Sequence, residues 1–196
     1  MWIIACVLLL VTACKYENLL CDQRKRQLNL MVLNRQSQSI PKSTYDQIKL
    51  VMNNQFNIKV NIQEINNFNI LPIFGTVREA FDRLNIFIPF NRKTNIYLYT
   101  DSGFLNQSTQ GQAWEGKLCH SSYNYGVAAP KTEIMLHEIG HLLGYKHSIN
   151  GIMMSRYNSN NDYMFKGLIQ FSDEYKSDMC IRITCLRKIK GKYRCI

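Results

Sequence analysis

Three of the four histidines in this 196-residue chain fall inside one run, His137-Glu138-Ile139-Gly140-His141-Leu142-Leu143-Gly144-Tyr145-Lys146-His147. In a helix, residues four apart stand one turn apart on the same face, so the imidazoles of His137 and His141 can reach a single metal ion. Glu138, next to the first histidine, is offset so as to point at a metal-bound water rather than at the metal. Gly144 is where such a helix can stop, because a residue without Cβ enters the left-handed conformation cheaply. The chain then turns back and presents His147 as a third nitrogen. Three protein ligands leave a tetrahedral zinc with one position for water, the arrangement of a catalytic rather than a structural site. The spacing therefore predicts Zn2+ held by His137, His141 and His147, with Glu138 as general base. Zinc brings the pKa of its water from ~15.7 towards ~7, Glu138 accepts the released proton, and the chemistry is hydrolysis. An HExxH run also occurs on helices that bind no metal. The glycine and the third histidine at these offsets are what make the pattern specific. His120 lies outside it and reads as a loop residue.

These side chains need a scaffold, and the pattern of apolar residues supplies one. Residues 28–33 read as a largely buried strand. Ser43-Thr44-Tyr45-Asp46 opens a helix with Ile48, Val51, Met52 and Phe56 at helical spacing. Residues 58–62 alternate like a half-buried strand. Thr76-Val77-Arg78-Glu79 matches a capping box ahead of Ala80, Phe81 and Leu84, which predicts a short second helix. Residues 95–99 form the next strand, and a glycine-rich stretch from Gly103 to Gly126 leads to the motif helix, expected over 132–143. Phe171-Ser172-Asp173-Glu174 introduces a last helix with Ser172 as N-cap. The helix–strand mixture with a mixed sheet is α+β.

Composition sets the context. The length suggests one domain, and 46% hydrophobic residues argue against disorder. Residues 1–13 are an apolar run too short to span a bilayer and read as a secretory signal peptide; no other stretch is long or apolar enough to be transmembrane. Val11-Thr12-Ala13-Cys14 also resembles a lipoprotein cleavage box, a second reading of the same segment. Of seven cysteines, Cys6 falls within that run, leaving Cys14, Cys21, Cys119, Cys180, Cys185 and Cys195. An even number in an exported chain points to disulfides, whose pairing sequence does not settle. Cys14 and Cys21 read as structural partners. Alternatively, Cys21 belongs to a very short propeptide ending at Arg26, in the basic cluster Arg24-Lys25-Arg26, and acts as a latency thiolate. Asn106-Gln107-Ser108 is a glycosylation sequon. The formal charge is +10, and no acidic residue follows Asp178 while Arg182, Arg187, Lys188, Lys190, Lys192 and Arg194 do. Such a tail is either a solvated face or a hold on polyanions such as glycosaminoglycans. No aromatic interleaving suggests a nucleic-acid groove.

Close behind the histidines, Gly151-Ile152-Met153-Met154-Ser155 resembles the metzincin clan of zinc endopeptidases, in which a methionine-containing turn runs beneath the zinc as an apolar floor. Met153 is the expected turn methionine and Met154 the alternative. Upstream, Gly111-Gln112-Ala113-Trp114-Glu115-Gly116-Lys117-Leu118-Cys119 and Tyr125-Gly126-Val127-Ala128 resemble the edge strand and the approach to the zinc helix of the adamalysin (reprolysin) family. The likeness spans roughly residues 27–185 and is specific over 111–155. Ser148 after the third histidine is a matrixin-like feature, and the link from His147 to Met153 is shorter than in adamalysins, with Gly151 where they carry a cysteine.

The resemblance implies a metzincin-type catalytic domain over 27–196, a twisted mixed β-sheet with a zinc-binding helix and a C-terminal helix. It implies that the edge strand, with Ala113, takes substrate backbone as an added antiparallel strand. Residues 154–157 would line the pocket for the residue after the scissile bond, and Cys119 would bridge to the C-terminal segment. The expected function is a secreted, monomeric zinc endopeptidase acting on proteins or peptides. The alternative is a secreted module that keeps the fold and acts by binding a host or matrix partner, although a pure binder has no need of Glu138.

Overall fold

The computed structural model describes residues 26–36, 38–66, 72–86, 95–115, 124–147, 151–153, 171, 188–189 and 192–193. The apolar N-terminal run, all seven cysteines, His120, residues 154–157, the expected helix after Ser172 and most of the basic tail lie outside them. No helix among the described residues is long and apolar enough to cross a membrane.

Five strands form one mixed sheet: β1 (Arg26–Asn34), β2 (Ile58–Asn66), β3 (Asn95–Thr100), β4 (Gly111–Ala113) and β5 (Tyr125–Ala128). Their order is β2-β1-β3-β5-β4; all neighbours run parallel except β4, which lies antiparallel on β5 at the edge. Three helices cover it: α1 (Lys42–Phe56), α2 (Val77–Arg83) and α3 (Thr132–Leu142). A parallel sheet needs both faces covered, and the strands here bury both sets of alternating side chains. Leu28, Leu30, Val32, Ile96 and Leu98 face α1 and α3, whereas Leu33, Tyr97, Tyr99, Tyr125 and Val127 pack with Val77, Ala80 and Phe81 of α2. A minor β-ribbon pairs β6 (Lys188–Ile189) with β7 (Lys192–Tyr193).

The strands and helices predicted from apolar spacing are found where expected. Buried on α1 are Ile48, Val51, Met52 and Phe56, the stripe that periodicity selects. The helix begins one residue earlier than Ser43, after Pro41, whose carbonyl accepts from Thr44 N–H at 3.0 Å. The Thr76 hydroxyl accepts from Glu79 N–H at 3.1 Å, but the Glu79 carboxylate reaches past the capping residue to Gly75 N–H at 2.9 Å. That is a capping box shifted by one donor.

What matters for the site is how α3 is held. It leaves β5, crosses the sheet beside β4, and buries Met135, Leu136, Ile139 and Leu142. Beyond its end, Tyr145 joins Phe56 of α1 and Phe171 in an aromatic cluster, with ring centroids 6.0 Å (Tyr145–Phe56), 5.2 Å (Phe56–Phe171) and 5.1 Å (Tyr145–Phe171) apart. Phe171 N–H also donates to the Gln55 side chain at 2.9 Å. Aromatic pairs of this kind add about 0.5–1.5 kcal/mol each beyond their buried area, so both ends of the histidine segment are anchored in the core.

Candidate metal centre

The last turn of α3 closes as a Schellman motif. Tyr145 N–H donates to the Gly140 carbonyl at 2.9 Å, Gly144 N–H to the His141 carbonyl at 2.8 Å, and Gly144 sits at φ 96°. The reversal carries His147 back over the helix. Its Nε2 lies 3.2 Å from His141 Nε2, which in turn is 3.1 Å from His137 Nε2. Among the described residues, these three form the one group of metal-ligating side chains drawn together tightly enough to hold an ion.

Tautomers follow from the outer nitrogens. His137 Nδ1 lies 2.7 Å from the Ile152 carbonyl, and His141 Nδ1 lies 2.8 Å from the Tyr145 carbonyl. A carbonyl oxygen can only accept, so each Nδ1 carries the hydrogen and each Nε2 of a neutral ring is left with a bare lone pair. Burial keeps these rings neutral: it lowers the His137 pKa to about 4 and that of His141 below its ordinary value, with the neighbouring imidazoles adding to the effect. Lone pairs meeting at 3.1 Å need a cation between them. Two zinc–nitrogen bonds of ~2.05 Å at a tetrahedral angle place the nitrogens ~3.3 Å apart, close to both observed separations. The donor set, three imidazoles with carbonyl acceptors behind His137 and His141, suits zinc.

Glu138 stands on the same helix and is almost fully buried, at 3% exposure. Its Oε2 has no hydrogen-bond partner among the described residues, and burial raises its pKa well above the carboxylate range. The carboxylate lies against the backbone of Gly111 on β4. A Cβ built there would come within 2.8 Å of both Cγ and Cδ of Glu138. On the far side of α3, a Cβ on Gly140 would meet the Met153 sulfur and come within 2.7 Å of the Phe171 ring. Met153 is wholly buried, so the expected turn methionine packs directly beneath the histidine helix.

A cleft of about 1160 Å³ passes in front of these groups, walled by β4 on one side and α3 on the other. Ala129 N–H donates to the Gln110 carbonyl at 2.7 Å, and bonded pairs alternate along an antiparallel ladder. Gln110 and Gln112 therefore turn their backbone groups towards β5. Gly111 and Ala113 turn theirs outward, to the side of β4 that faces the cleft and pairs with no strand among the described residues. Regular pairing of β4 stops at Ala113, so the expected edge strand is short. Asn106 of the sequon is exposed at the end of a 3-10 turn, Ser102–Asn106.

The sequence pattern of the family described as metallo-peptidase family M12B, reprolysin-like, matches residues 23–148. The chain belongs to the reprolysin-like metallopeptidases. Solved structures agree at the level of the fold. Metalloproteinase-II from Bacteroides fragilis aligns over 68% of this reprolysin-like chain and 47% of its own, with a TM-score of 0.54 and 17% identity. Archaemetzincin from Methanopyrus kandleri aligns over 80% of this chain and 95% of its own, with a TM-score of 0.52 and 15% identity. The chain thus spans about half the length of the Bacteroides fragilis protein. No curated protein matches it.

Of the residues named from the sequence, His137, Glu138, His141, His147 and Ala113 line this cleft, and Met153 packs against Gly140 behind it. Sequence reasoning missed the carbonyls of Ile152 and Tyr145, which carry no side-chain signature. It also missed the packing role of Gly140. The signal was there: glycine inside a helix costs about 1 kcal/mol against alanine, so its presence asks for a close neighbour.

Proposed function

We propose that the protein is a secreted zinc endopeptidase that cleaves protein or peptide chains laid along the open edge of β4. The observation that carries this reading is the convergence of three imidazole Nε2 atoms beside a buried carboxylate, directly under a strand edge whose outward backbone groups pair with no strand among the described residues. Zinc held by His137, His141 and His147 would supply a Lewis acid for the scissile carbonyl and an acidified water.

The rest falls to the chain itself. Gly111 and Ala113 offer outward N–H and C=O groups that align a substrate backbone by strand addition. Glu138 takes the proton of the attacking water and delivers it to the departing amine. Its apolar surroundings raise its affinity for that proton, which suits a base that must later act as an acid. Ile152 and Tyr145 hold two imidazoles in the tautomer that points Nε2 inward. Met153 gives the helix a dry floor.

The test is chelator-sensitive cleavage of casein by the full chain, compared with Glu138→Ala. Wild type should cleave, and the variant should bind the same zinc and not cleave. Equal zinc with no cleavage by either would favour the binding-module reading. Export by the apolar N-terminal run predicts a mature N-terminus near residue 14, or near 27 if the short propeptide is removed, both read by N-terminal sequencing. A polyanion-binding tail predicts later elution from heparin than a chain lacking residues 186–196.

A further inference from the structure

Glu115, on the described lining of the cleft, is an acidic side chain that the hydrolytic machinery does not use. On β4, Gly111 and Ala113 stand at alternate positions and share a strand face, and Glu115 follows two residues past the strand's end. That face looks at α3. The Cβ position of Gly111 meets Glu138, and Ala113 Cβ lies 2.8 Å from where a Cβ on Gly126 would sit. The intervening Trp114 goes the other way, its ring 5.1 Å from Phe81 and 6.3 Å from Tyr125 on the α2 side. Glu115 is exposed, lines the same cleft, and its charge is felt at His141, where it favours the protonated ring. It lies four residues after Gly111 in the chain.

Direction follows from topology. A substrate strand added antiparallel to β4 runs opposite to it. Substrate residues facing Glu115 therefore precede those facing Gly111, where Glu138 acts. The other charged side chains on the described lining, Lys131 and Glu133, stand at the start of α3. That start follows Ala128, which pairs with Gly111, so both belong to the opposite end of the cleft. Among the described residues, the amino-terminal half of the cleft is thus marked by the Glu115 carboxylate, in a chain of net charge +10.

We infer that Glu115 is a specificity-determining residue, selecting substrates with a lysine or arginine on the amino-terminal side of the scissile bond. This rests on the peptidase reading and sharpens its substrate class. An ion pair at a partly solvated rim contributes modestly, so the preference should be about two- to tenfold in kcat/KM.

The experiment uses the zinc-loaded full chain and short fluorogenic peptides that carry arginine or the isosteric neutral citrulline at each position before the cleaved bond. Wild type should favour arginine at one of those positions. Glu115→Gln should bring the ratio near one while leaving the citrulline peptide nearly unchanged, and Glu115→Lys should turn the preference towards a glutamate-bearing peptide. Equal cleavage of all peptides by wild type overturns the inference and leaves the peptidase reading standing. So does a preference that survives Glu115→Gln. An equal loss on every peptide would also overturn it, since that is the mark of a residue positioning His141. Cleavage of no peptide removes both readings.

Discussion

The backbone of Gly111 on the edge strand rests against the carboxylate of Glu138 on the histidine helix, so closely that a Cβ at position 111 would stand 2.8 Å from both Cγ and Cδ of the glutamate. The strand that offers backbone to a substrate and the base that acts on it are therefore set against each other without an intervening side chain. Gly111→Ala should keep its zinc, because the three atoms nearest an added Cβ all belong to Glu138 and none to a histidine ligand. It should lose about 10- to 100-fold in kcat/KM, the scale of a catalytic group displaced by about an ångström. Metal content by emission spectroscopy and peptide kinetics check this together. A variant with full activity would mean that the glutamate works equally well elsewhere.

The floor of the site makes a second, independent demand. Gly140→Ala would gain up to about 1 kcal/mol in helix propensity. It also drives a methyl group into the Met153 sulfur and to within 2.7 Å of the buried Phe171 ring, and overpacking of this kind costs about 1–3 kcal/mol. The ring is held by Phe56 and Tyr145 and has little room to yield. The expected outcome is a net loss of stability by denaturant titration. Gly140→Ala combined with Met153→Ala should be less destabilised than the sum of the single changes by at least about 0.5 kcal/mol.

These two contacts show where the sequence was readable and where it was not. Periodicity located β1, α1, β2, β3 and α3 because each buries an alternating or helical stripe whose spacing is a local property. The ligand set was legible for the same reason: His137 and His141 meet through helix geometry alone, and Gly144 marks the turn that returns His147. The order of strands was not legible, since β4 reaches its place through pairing with β5, which follows it in the chain. Neither was the pairing of Gly111 with Glu138, twenty-seven residues apart in the chain, nor the carbonyls behind His137 and His141, which any residue could supply. Long-range packing decides these, and no local pattern encodes it.

Gly144 tests the local part. At φ 96° it occupies a conformation that costs an L-residue about 1–2 kcal/mol. Gly144→Ala should lose that much stability in the metal-free protein. It should lose further zinc affinity, because the strained turn is the link that brings His147 to His141 at 3.2 Å. A competition titration against a chromogenic chelator reads the second effect apart from the first. A stability loss with unaltered zinc affinity would show that His147 is positioned by other contacts.

Acid should act on the metal-free protein in a defined direction. His137 has a folded-state pKa of about 4 against an ordinary 6.5, chiefly through burial, so in that window the unfolded chain binds protons that the native ring refuses. Stability contributed by the neutral ring is complete above pH 6.5 and is lost as pH falls towards 4. His141 shifts the same way. Glu138 opposes them, since burial raises its pKa and its contribution fades as pH rises. The difference between wild type and His137→Gln isolates the histidine. With chelator present, the variant should melt with a shallower decline below pH 6.5 than wild type, and the two declines should run parallel above it. Parallel curves across the whole range would show that the native metal-free ring takes up its proton as readily as the unfolded one, so that burial does not hold His137 neutral.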